Sequence, residues 1–311
     1  MKKISIVVPC YNEQETIMIF YHTIQKYLIK DYAFTLLFID DGSTDDTYKI
    51  LSKLSQTDDH VKYLRFSRNF GKESAMLAGL EYSYKADFDA TIIMDVDLQD
   101  PPELIIDMLN YYEQGYKHIY AKHRSRKDEP KIRTFFAMQF YKVYAYITKD
   151  KHIVRGARDF SLLDRDVVKA FIDVNDYTRF TKGIFSWVGF EKKCIEFDYV
   201  KRSAGKTKWS FVQLFKYAMR GINQFSHFYK FVPNFVILFI SIVIISDFFT
   251  LDLTNIVELK ILIMEFIMLL LVFVLKAQLN LTYDIRDHGL KRPKYIIEET
   301  NMGIENEKYD K

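Results

Sequence analysis

Cysteine is scarce in this chain, and two common phosphate-binding motifs are absent from it. Cys10 and Cys194 are the two cysteines among 311 residues. They are too few for a disulfide framework and lack the spacing of metal ligands, which fits a reducing compartment. No Gly-x-Gly-x-x-Gly follows the first predicted strand, and no Gly-x-x-x-x-Gly-Lys-Ser/Thr occurs. The sequence therefore predicts neither a dinucleotide-binding motif nor a P-loop.

Net charge of either sign is also small. Lysine and arginine number 44 and aspartate and glutamate 41, a formal net charge of +3, which gives no reason to expect a nucleic-acid partner. The first apolar run, from Ile4 to Pro9, is too short for a signal peptide, so we expect none there. With 49% hydrophobic residues, the chain can bury the core of a catalytic domain and still carry an added segment.

Strands alternate with helices through the N-terminal half. Each of the first three predicted strands is followed by a helical pattern, the third helix covering Glu73–Tyr84. The predicted strands are Ile4–Val8, Thr35–Ile39, Val61–Phe66, Thr91–Met94, His118–Ala121 and Phe160–Leu163. This alternation predicts an α/β fold with a parallel sheet, helices on both faces and a ligand crevice beyond the carboxyl ends of the strands.

Polar and acidic loops follow three of these strands. PCYNE follows the first, Asp40 and Asp41 end the second, and Asp95 and Asp97 end the fourth in IIMDVDLQDPPE. Carboxylates at a strand end suit a Mg²⁺ or Mn²⁺ ion that carries a diphosphate. Each loop alone is explained equally well by turn formation or helix capping. Three such loops at one edge of one sheet favour a common ligand site.

Two further charged positions are candidates, and the first of them, Arg124, is predicted to lie at the same edge. Arg124 follows a strand within a basic loop that is either a solvated turn or a phosphate-binding segment. Asp159 begins a later strand, where its carboxylate is either a catalytic base or an ion-pair partner of Arg158. The aromatic segment Thr178–Phe190 is either a wall of an acceptor site or ordinary apolar packing.

The C-terminal part contains an amphipathic stretch and two apolar segments. Residues 206–230 fit either a helix on an anionic bilayer surface or a core helix. The segments at 231–249 and 256–275 are each close to the length of a membrane helix. Glu265 lies deep in the second segment and indicates self-association in a bundle. Basic residues on the outer flanks place both ends in the cytoplasm, and the tail after Tyr295 is predicted to be polar and loose.

The order of the motifs resembles one enzyme family. The motifs are DDGSTDDT, RNFGKE, DVDLQDPPE, RGARDFSLLDRD, RFTKGIFSWVGF and AGKTKW, followed by the paired apolar segments. Together they resemble the family 2 glycosyltransferases of GT-A fold, specifically the bacterial polyprenyl-phosphate glycosyltransferases related to dolichyl-phosphate mannose synthase. The Gln-x-x-Arg-Trp motif of processive members is absent, which favours transfer of a single sugar.

The resemblance covers nearly the whole chain and implies a domain organisation. It implies a Rossmann-like, mainly parallel GT-A domain over 1–205 and an amphipathic interface helix region over 206–230. A two-helix transmembrane hairpin over 231–276 and a cytoplasmic tail over 277–311 would follow. The localisation implied is the cell membrane, with the catalytic domain in the cytoplasm.

Position by position, the resemblance also implies the site residues. The implied nucleotide-binding residues are Pro9, Tyr11, Glu13, Asp40, Asp95, Val96 and Gln99. Arg124, Arg202 and Lys208 would bind phosphates. Asp159 matches the proposed base and Asp97 is the second catalytic position. Asp97, together with Asp95, would bind Mg²⁺ or Mn²⁺.

The implied reaction moves one sugar from a nucleotide sugar to polyprenyl (undecaprenyl) phosphate with inversion at the anomeric carbon. UDP-glucose is the favoured donor and UDP-N-acetylglucosamine the next. The alternatives are a transferase that elongates a glycan, a GDP-mannose-using polyprenyl-phosphate mannosyltransferase, and a membrane scaffold without turnover. The expected partners are the donor, the lipid acceptor, the membrane and a second copy of the chain, with no nucleic acid.

Overall fold

The computed structural model describes residues 1–124, 156–176, 179–198 and 293–302, with scattered positions within 139–148, 219–225 and 260–285. The described strands are β1 (Lys2–Cys10), β2 (Tyr32–Asp40), β3 (Val61–Phe66), β4 (Ala90–Ile93), β5 (His118–His123), β6 (Ala157–Asp164), β7 (Lys192–Phe197) and β8 (Ile297–Thr300). The described helices are α1 (Ile17–Ile24), α2 (Thr47–Thr57), α3 (Lys72–Lys85), α4 (Leu104–Glu113), α5 (Arg165–Asp173) and α6 (Thr181–Trp187).

The described strands form one mixed sheet in the order β7-β5-β6-β4-β1-β2-β3-β8. Neighbours are parallel in the pairs β1/β2, β1/β4, β2/β3 and β5/β7, and antiparallel in β4/β6, β5/β6 and β3/β8. The predicted strand–helix alternation is confirmed, and the sheet is mainly parallel rather than wholly so. Because β6 runs opposite to β4, the start of β6 lies at the edge where β4 ends.

Both faces of the sheet are covered, as the alternation of side chains along β1 shows. Ile6 and Val8 join Phe20 of α1 in the core on one face. Val7 points to the other face and packs with Ala78 of α3. Burial of both faces explains why β1 and β2 have continuous apolar runs instead of an alternating pattern. The strand ends are therefore held on a rigid frame.

Gly79 allows α3 to approach β1 closely. A Cβ atom at this position would lie 2.2 Å from Cγ1 of Val7. Since a packed core resists such overlap, Gly79→Ala should lower the free energy of unfolding by about 1–3 kcal/mol in denaturant titrations. In a Val7→Ala background the added methyl has room, so the same substitution should cost less. An equal loss in both backgrounds would contradict this packing argument.

The last continuous stretch that the structure describes, residues 293–302, contains a strand of the sheet, so the prediction of a loose tail after Tyr295 was wrong for residues up to 302. β8 pairs antiparallel with β3, and the Tyr295 ring stacks on Phe66 with centroids 5.0 Å apart. Met302, four per cent exposed, closes the same core. The sequence pattern did not predict β8 because the strand contains two adjacent glutamates, which lower the apolar content of the segment. Charged side chains of this kind are common on a strand at the exposed edge of a sheet.

The described part of the amphipathic stretch packs on the catalytic domain. Ile222 is buried and Phe225 half-buried, and both belong to a cluster with Tyr144 and Phe180. A Cβ at Gly183 of α6 would lie 2.4 Å from the Phe225 ring, so these helices touch closely. At these two positions the core-helix alternative holds, and the membrane-surface prediction for the rest of 206–230 lies outside the described residues.

The predicted membrane segments are described only in part. The segment 231–249 lies outside the described residues, as do the domain boundaries near 205 and 230. Described positions between 260 and 285 are helical. Seven of them expose large apolar side chains, namely Met264, Leu271, Phe273, Leu275, Leu279, Leu281 and Ile285. Within the described residues, no helix combines the length and apolar character needed to cross a bilayer.

Candidate active site

Two carboxylates from neighbouring strand ends meet at the predicted edge of the sheet. The β4–β6 register pairs Ile93 with Ser161, and two residues further along it Asp95 lies across from Asp159. The ammonium of Lys72, at the start of α3, lies 2.7 Å from Asp95 Oδ1 and 2.6 Å from Asp159 Oδ2. The structure thus brings together Asp95 and Asp159, two of the candidate site residues, and joins them through a lysine that was not among the candidates.

The charges around Asp159 keep its carboxyl group ionised. Burial acts to raise the pKa of Asp159, but the charges of Lys72 and Lys182 outweigh it and hold this pKa well below its usual range. Burial acts to lower the pKa of Lys72, yet Asp159 and Asp95 raise it. Asp159 therefore stays anionic at neutral pH, and Lys72 stays cationic.

Arg158 extends this network towards Asp100. Its Nε atom donates a hydrogen bond of 2.8 Å to Asp100 Oδ1, and its Nη2 atom lies 3.8 Å from Asp95 Oδ2. Burial raises the pKa of Asp100 to about 6, although Arg158 opposes the shift. Arg158 thus pairs with Asp100 and Asp95, whereas Asp159 takes Lys72, so the predicted alternative of an Asp159–Arg158 pair is not the arrangement found.

Asp97 lies in the turn that follows β4. Its Oδ1 atom accepts a hydrogen bond of 3.1 Å from the Gln99 main-chain N–H, and Leu98 takes a left-handed conformation with φ 55°. Asp97 and Val96 are both buried. Among the described residues, no group of three or more histidine, cysteine, aspartate or glutamate side chains is arranged to hold a metal ion. One or two carboxylates are nevertheless enough when substrate phosphates complete the coordination of Mg²⁺.

Asp40 has a buried oxygen with spare capacity to accept a hydrogen bond. The side chain is fully buried, and its Oδ1 atom accepts a hydrogen bond of 2.9 Å from the Ser43 N–H. Its Oδ2 atom has no hydrogen-bond partner among the described residues and lies 3.7 Å from Arg65 Nε. Burial raises the pKa of Asp40, although Ser43 opposes this. Such an oxygen fits an N–H donor of a ligand.

Asp41 has a different, structural role. It accepts hydrogen bonds from the main-chain N–H groups of Phe70, at 2.7 Å, and Gly71, at 2.9 Å. Burial raises the pKa of Asp41 to about 6, and these two donors oppose the shift. The acidic loop after β2 is thereby fixed to the segment that leads into Lys72.

The loop after β1 is locked to the loop after β2. Asn12 Oδ1 accepts a hydrogen bond of 2.8 Å from the Thr44 N–H, and the Glu13 N–H donates one of 2.8 Å to Thr47 Oγ1. The half-buried residues Pro9, Tyr11 and Glu13 therefore lie beside the end of β2. The structure brings these three predicted nucleotide-binding residues to the same edge as Asp40.

Of the three predicted phosphate-binding residues, Arg124 is the one within the described residues, and it lies outside this cluster. Arg124 follows β5, where its main-chain N–H donates to Phe197 at 2.8 Å and its exposed side chain lies 3.6 Å from Asp198. β6 separates β5 from β4 in the sheet, so Arg124 occupies the same edge at a greater distance. Arg202 and Lys208 lie outside the described residues.

The aromatic segment predicted as an acceptor wall contains α6. Glu73 accepts hydrogen bonds from the N–H and hydroxyl of Thr181, and the Lys182 ammonium donates one of 2.9 Å to the Ala157 carbonyl. The start of α6 is therefore fixed next to Lys72 and Asp159. Arg179 donates to main-chain carbonyls of α5 and its end, so it supports packing.

Sequence reasoning missed the roles of Lys72, Arg158 and Asp100. Lys72 lies 87 residues from Asp159 in the sequence, and no periodic pattern reports such a pairing. One signal was present: the RNFGKE motif follows β3, and in this topology a segment after a strand end reaches the ligand edge. A lysine there has acidic neighbours on the adjoining strand ends.

The chain belongs to glycosyl transferase family 2, the family defined by a sequence profile that matches residues 5–171. It is 35% identical to the putative glycosyltransferase CsbB of Bacillus subtilis (strain 168), covering 96% of this chain and 92% of that protein. It is 40% identical to a prophage bactoprenol glucosyl transferase homolog of Escherichia coli (strain K12), covering 73% of each. It is 38% identical to the bactoprenol glucosyl transferase of Shigella phage SfV, covering 77% of each.

A solved structure shares the fold. Glucosyl-3-phosphoglycerate synthase from Mycobacterium tuberculosis, in complex with Mn²⁺, UDP and phosphoglyceric acid, superposes with a TM-score of 0.50 at 17% identity. The match covers 71% of this chain and 76% of that one. The mixed, mainly parallel sheet is thus consistent with a GT-A fold.

Proposed function

We propose that this protein transfers one sugar from a nucleotide sugar, UDP-glucose first among candidates, to polyprenyl phosphate. The observation that carries the proposal is the Lys72 bridge between Asp95 and Asp159 at the carboxyl edge of a family 2 domain. The names of relatives at 38–40% identity, bactoprenol glucosyl transferases, support the same acceptor class. Inversion at the anomeric carbon is part of the proposal.

Asp97 is the residue we assign to a divalent ion, Mg²⁺ or Mn²⁺. Asp95 was also predicted as a ligand, but its two oxygens already contact Lys72 and Arg158. A bound ion would supply positive charge to the departing diphosphate. Asp95 then serves to hold the two cations at the donor side, and the Gln99 main chain contacts Asp97 in the turn that follows.

The nucleotide base is assigned to the pocket around Asp40. The unpartnered Oδ2 atom of Asp40 suits the ring N–H of a uracil base, because it is a buried acceptor that lacks a donor among the described residues. Pro9, Tyr11 and Glu13 flank this position. A uridine nucleotide therefore fits the described residues.

Asp159 is assigned a positioning role for the acceptor. A phosphate monoester has a second pKa of about 6, so the acceptor is already mostly dianionic at neutral pH and needs little base catalysis. The low pKa of Asp159 makes it a weak base. In the proposed step, an acceptor phosphate oxygen bonds to the anomeric carbon as the bond to the nucleoside diphosphate breaks, while Asp159 and Lys72 fix the geometry.

We also place the catalytic domain at the cytoplasmic face of the cell membrane. The exposed apolar side chains on helical positions between 260 and 285 support contact with lipid, and a lipid acceptor has its headgroup at that surface. Self-association of the chain remains a proposal that rests on Glu265.

The test is product analysis after separate incubation with UDP-glucose, UDP-N-acetylglucosamine and GDP-mannose, each with undecaprenyl phosphate and Mg²⁺ or Mn²⁺. Mass spectrometry should show undecaprenyl phosphate carrying one hexose with UDP-glucose. A product with several sugars would favour the elongating alternative. If the protein neither transfers sugar from any of these donors nor hydrolyses any of them, the alternative of a membrane scaffold without turnover would be favoured.

A further inference from the structure

The C-terminal strand places a glutamate against the donor side of the sheet. The β3–β8 register pairs Arg65 with Glu299 and Phe66 with Ile297, which leaves Glu298 without a counterpart on β3. A bulge of this kind turns a side chain away from the face that strict alternation would give it. The Glu298 carboxylate consequently lies 3.2 Å from Arg65 Nε.

Arg65 lies between two carboxylates. It pairs with Asp40 in the β2–β3 register, and its Nε atom is 3.7 Å from Asp40 Oδ2, a longer separation than that to Glu298. The guanidinium also lies over the Tyr48 ring at 4.4 Å from its centroid. The Arg65 Nε atom and Asp40 Oδ2 are both buried without a hydrogen-bond partner among the described residues, so the shorter contact of Arg65 with Glu298 is an ion pair and not a hydrogen bond.

We infer that Glu298 is a positioning residue for donor binding, which draws Arg65 away from Asp40 and so leaves Asp40 Oδ2 open to the N–H of the nucleotide base. The inference rests on the proposed function, in which Asp40 binds that base. Glu298 acts through Arg65 and does not itself touch the donor. The strand β8 thereby becomes part of the donor site.

The physical basis is competition for one carboxylate. Without the charge of Glu298, Asp40 is the nearest remaining acid to Arg65 among the described residues, and a guanidinium readily makes a charge-assisted hydrogen bond to a carboxylate. That bond would occupy the oxygen the base needs. The strand itself has other anchors, including Tyr295 on Phe66 and Asn301 hydrogen-bonded to Tyr63, so it stays in place.

The test is Glu298→Gln in the full-length chain. Calorimetric titration with UDP and Mg²⁺ should show about threefold to tenfold weaker binding, the range for loss of one hydrogen bond. The KM for the nucleotide sugar should rise by the same factor, with kcat unchanged. Glu299→Gln is the matched control, because this neighbour contacts the Tyr63 hydroxyl at 3.1 Å and should leave affinity unchanged.

A second background separates positioning from a merely structural role. Arg65→Met removes the competing guanidinium, so adding Glu298→Gln should weaken UDP binding no further. Equal weakening in both backgrounds, or equal effects of Glu298→Gln and Glu299→Gln, would overturn the inference. A wild-type chain that binds no uridine nucleotide would instead overturn the proposed function, together with the assignment of Asp40 on which the inference rests.

Discussion

Asp97→Asn is expected to reduce turnover by about 10²–10³-fold, the size seen when a charge-stabilising contact to a departing group is lost. The amide keeps an oxygen that can accept the Gln99 N–H bond, so the turn after β4 remains intact. The substitution removes only the negative charge. A divalent ion held by this carboxylate would then be bound weakly, and the leaving diphosphate would lose its counter-charge.

The measurement is single-turnover transfer across a range of Mn²⁺ concentrations, with UDP binding followed in parallel. Metal-free UDP binding should be unchanged, while the gain in affinity on adding Mn²⁺ should disappear. Asp107→Asn, on the exposed side of α4, is the matched control and should behave as wild type. Full metal-dependent turnover in Asp97→Asn would show that the metal assignment is wrong.

Lys72→Met is expected to lower kcat by about 100-fold or more, comparable to loss of a catalytic electrostatic group. Methionine keeps the length of the side chain but removes the ammonium that lies between Asp95 and Asp159. Two carboxylates then face each other across neighbouring strand ends, and their repulsion displaces the groups that position the acceptor. Lys117→Met, which breaks an exposed pair with Asp166 at the opposite edge, should have little effect on kcat.

The lowered pKa of Asp159 also predicts the direction in which the activity of Lys72→Met changes with pH. In the wild type the lowered pKa of Asp159 means that its ion pair contributes stability throughout pH 5–8 and is lost only below its ordinary unfolded value of about 3.9. Without Lys72 the pKa of Asp159 should rise, so residual activity should fall as pH drops towards 5. An unchanged kcat and an unchanged pH profile in Lys72→Met would contradict the bridging role.

The strands that carry the donor side of the site could be predicted from the sequence. Continuous apolar runs predicted the first four strands, and Val61–Phe66 was found with the predicted bounds. Strand ends in a parallel α/β sheet share an edge, which is why Asp40 and Asp95 were expected to converge. Asp159 begins its strand, and only the family resemblance placed it at the same site. The direction of β6 was not predictable, since its antiparallel pairing depends on the path of a long intervening segment.

The charge partners were beyond the reach of sequence patterns. Periodicity reports which face of an element is buried, but the choice of Lys72 rather than Arg158 for Asp159 depends on where α3 begins relative to β6. The same limit applies to Arg65, which looks like an ordinary exposed strand residue. Its position between Asp40 and Glu298 arises only when β8 pairs with β3 in the sheet.

The place of β8 also constrains the order of assembly. Tyr63 and Glu299, which contact each other across the last strand pair, are 236 residues apart in the chain. During synthesis β3 therefore lacks its neighbour on that side until the roughly 230 residues between it and β8 have been made. Contacts of such long range form late, and an uncovered strand is prone to intermolecular pairing. β8 covers the free edge of β3, and it carries the two glutamates Glu298 and Glu299.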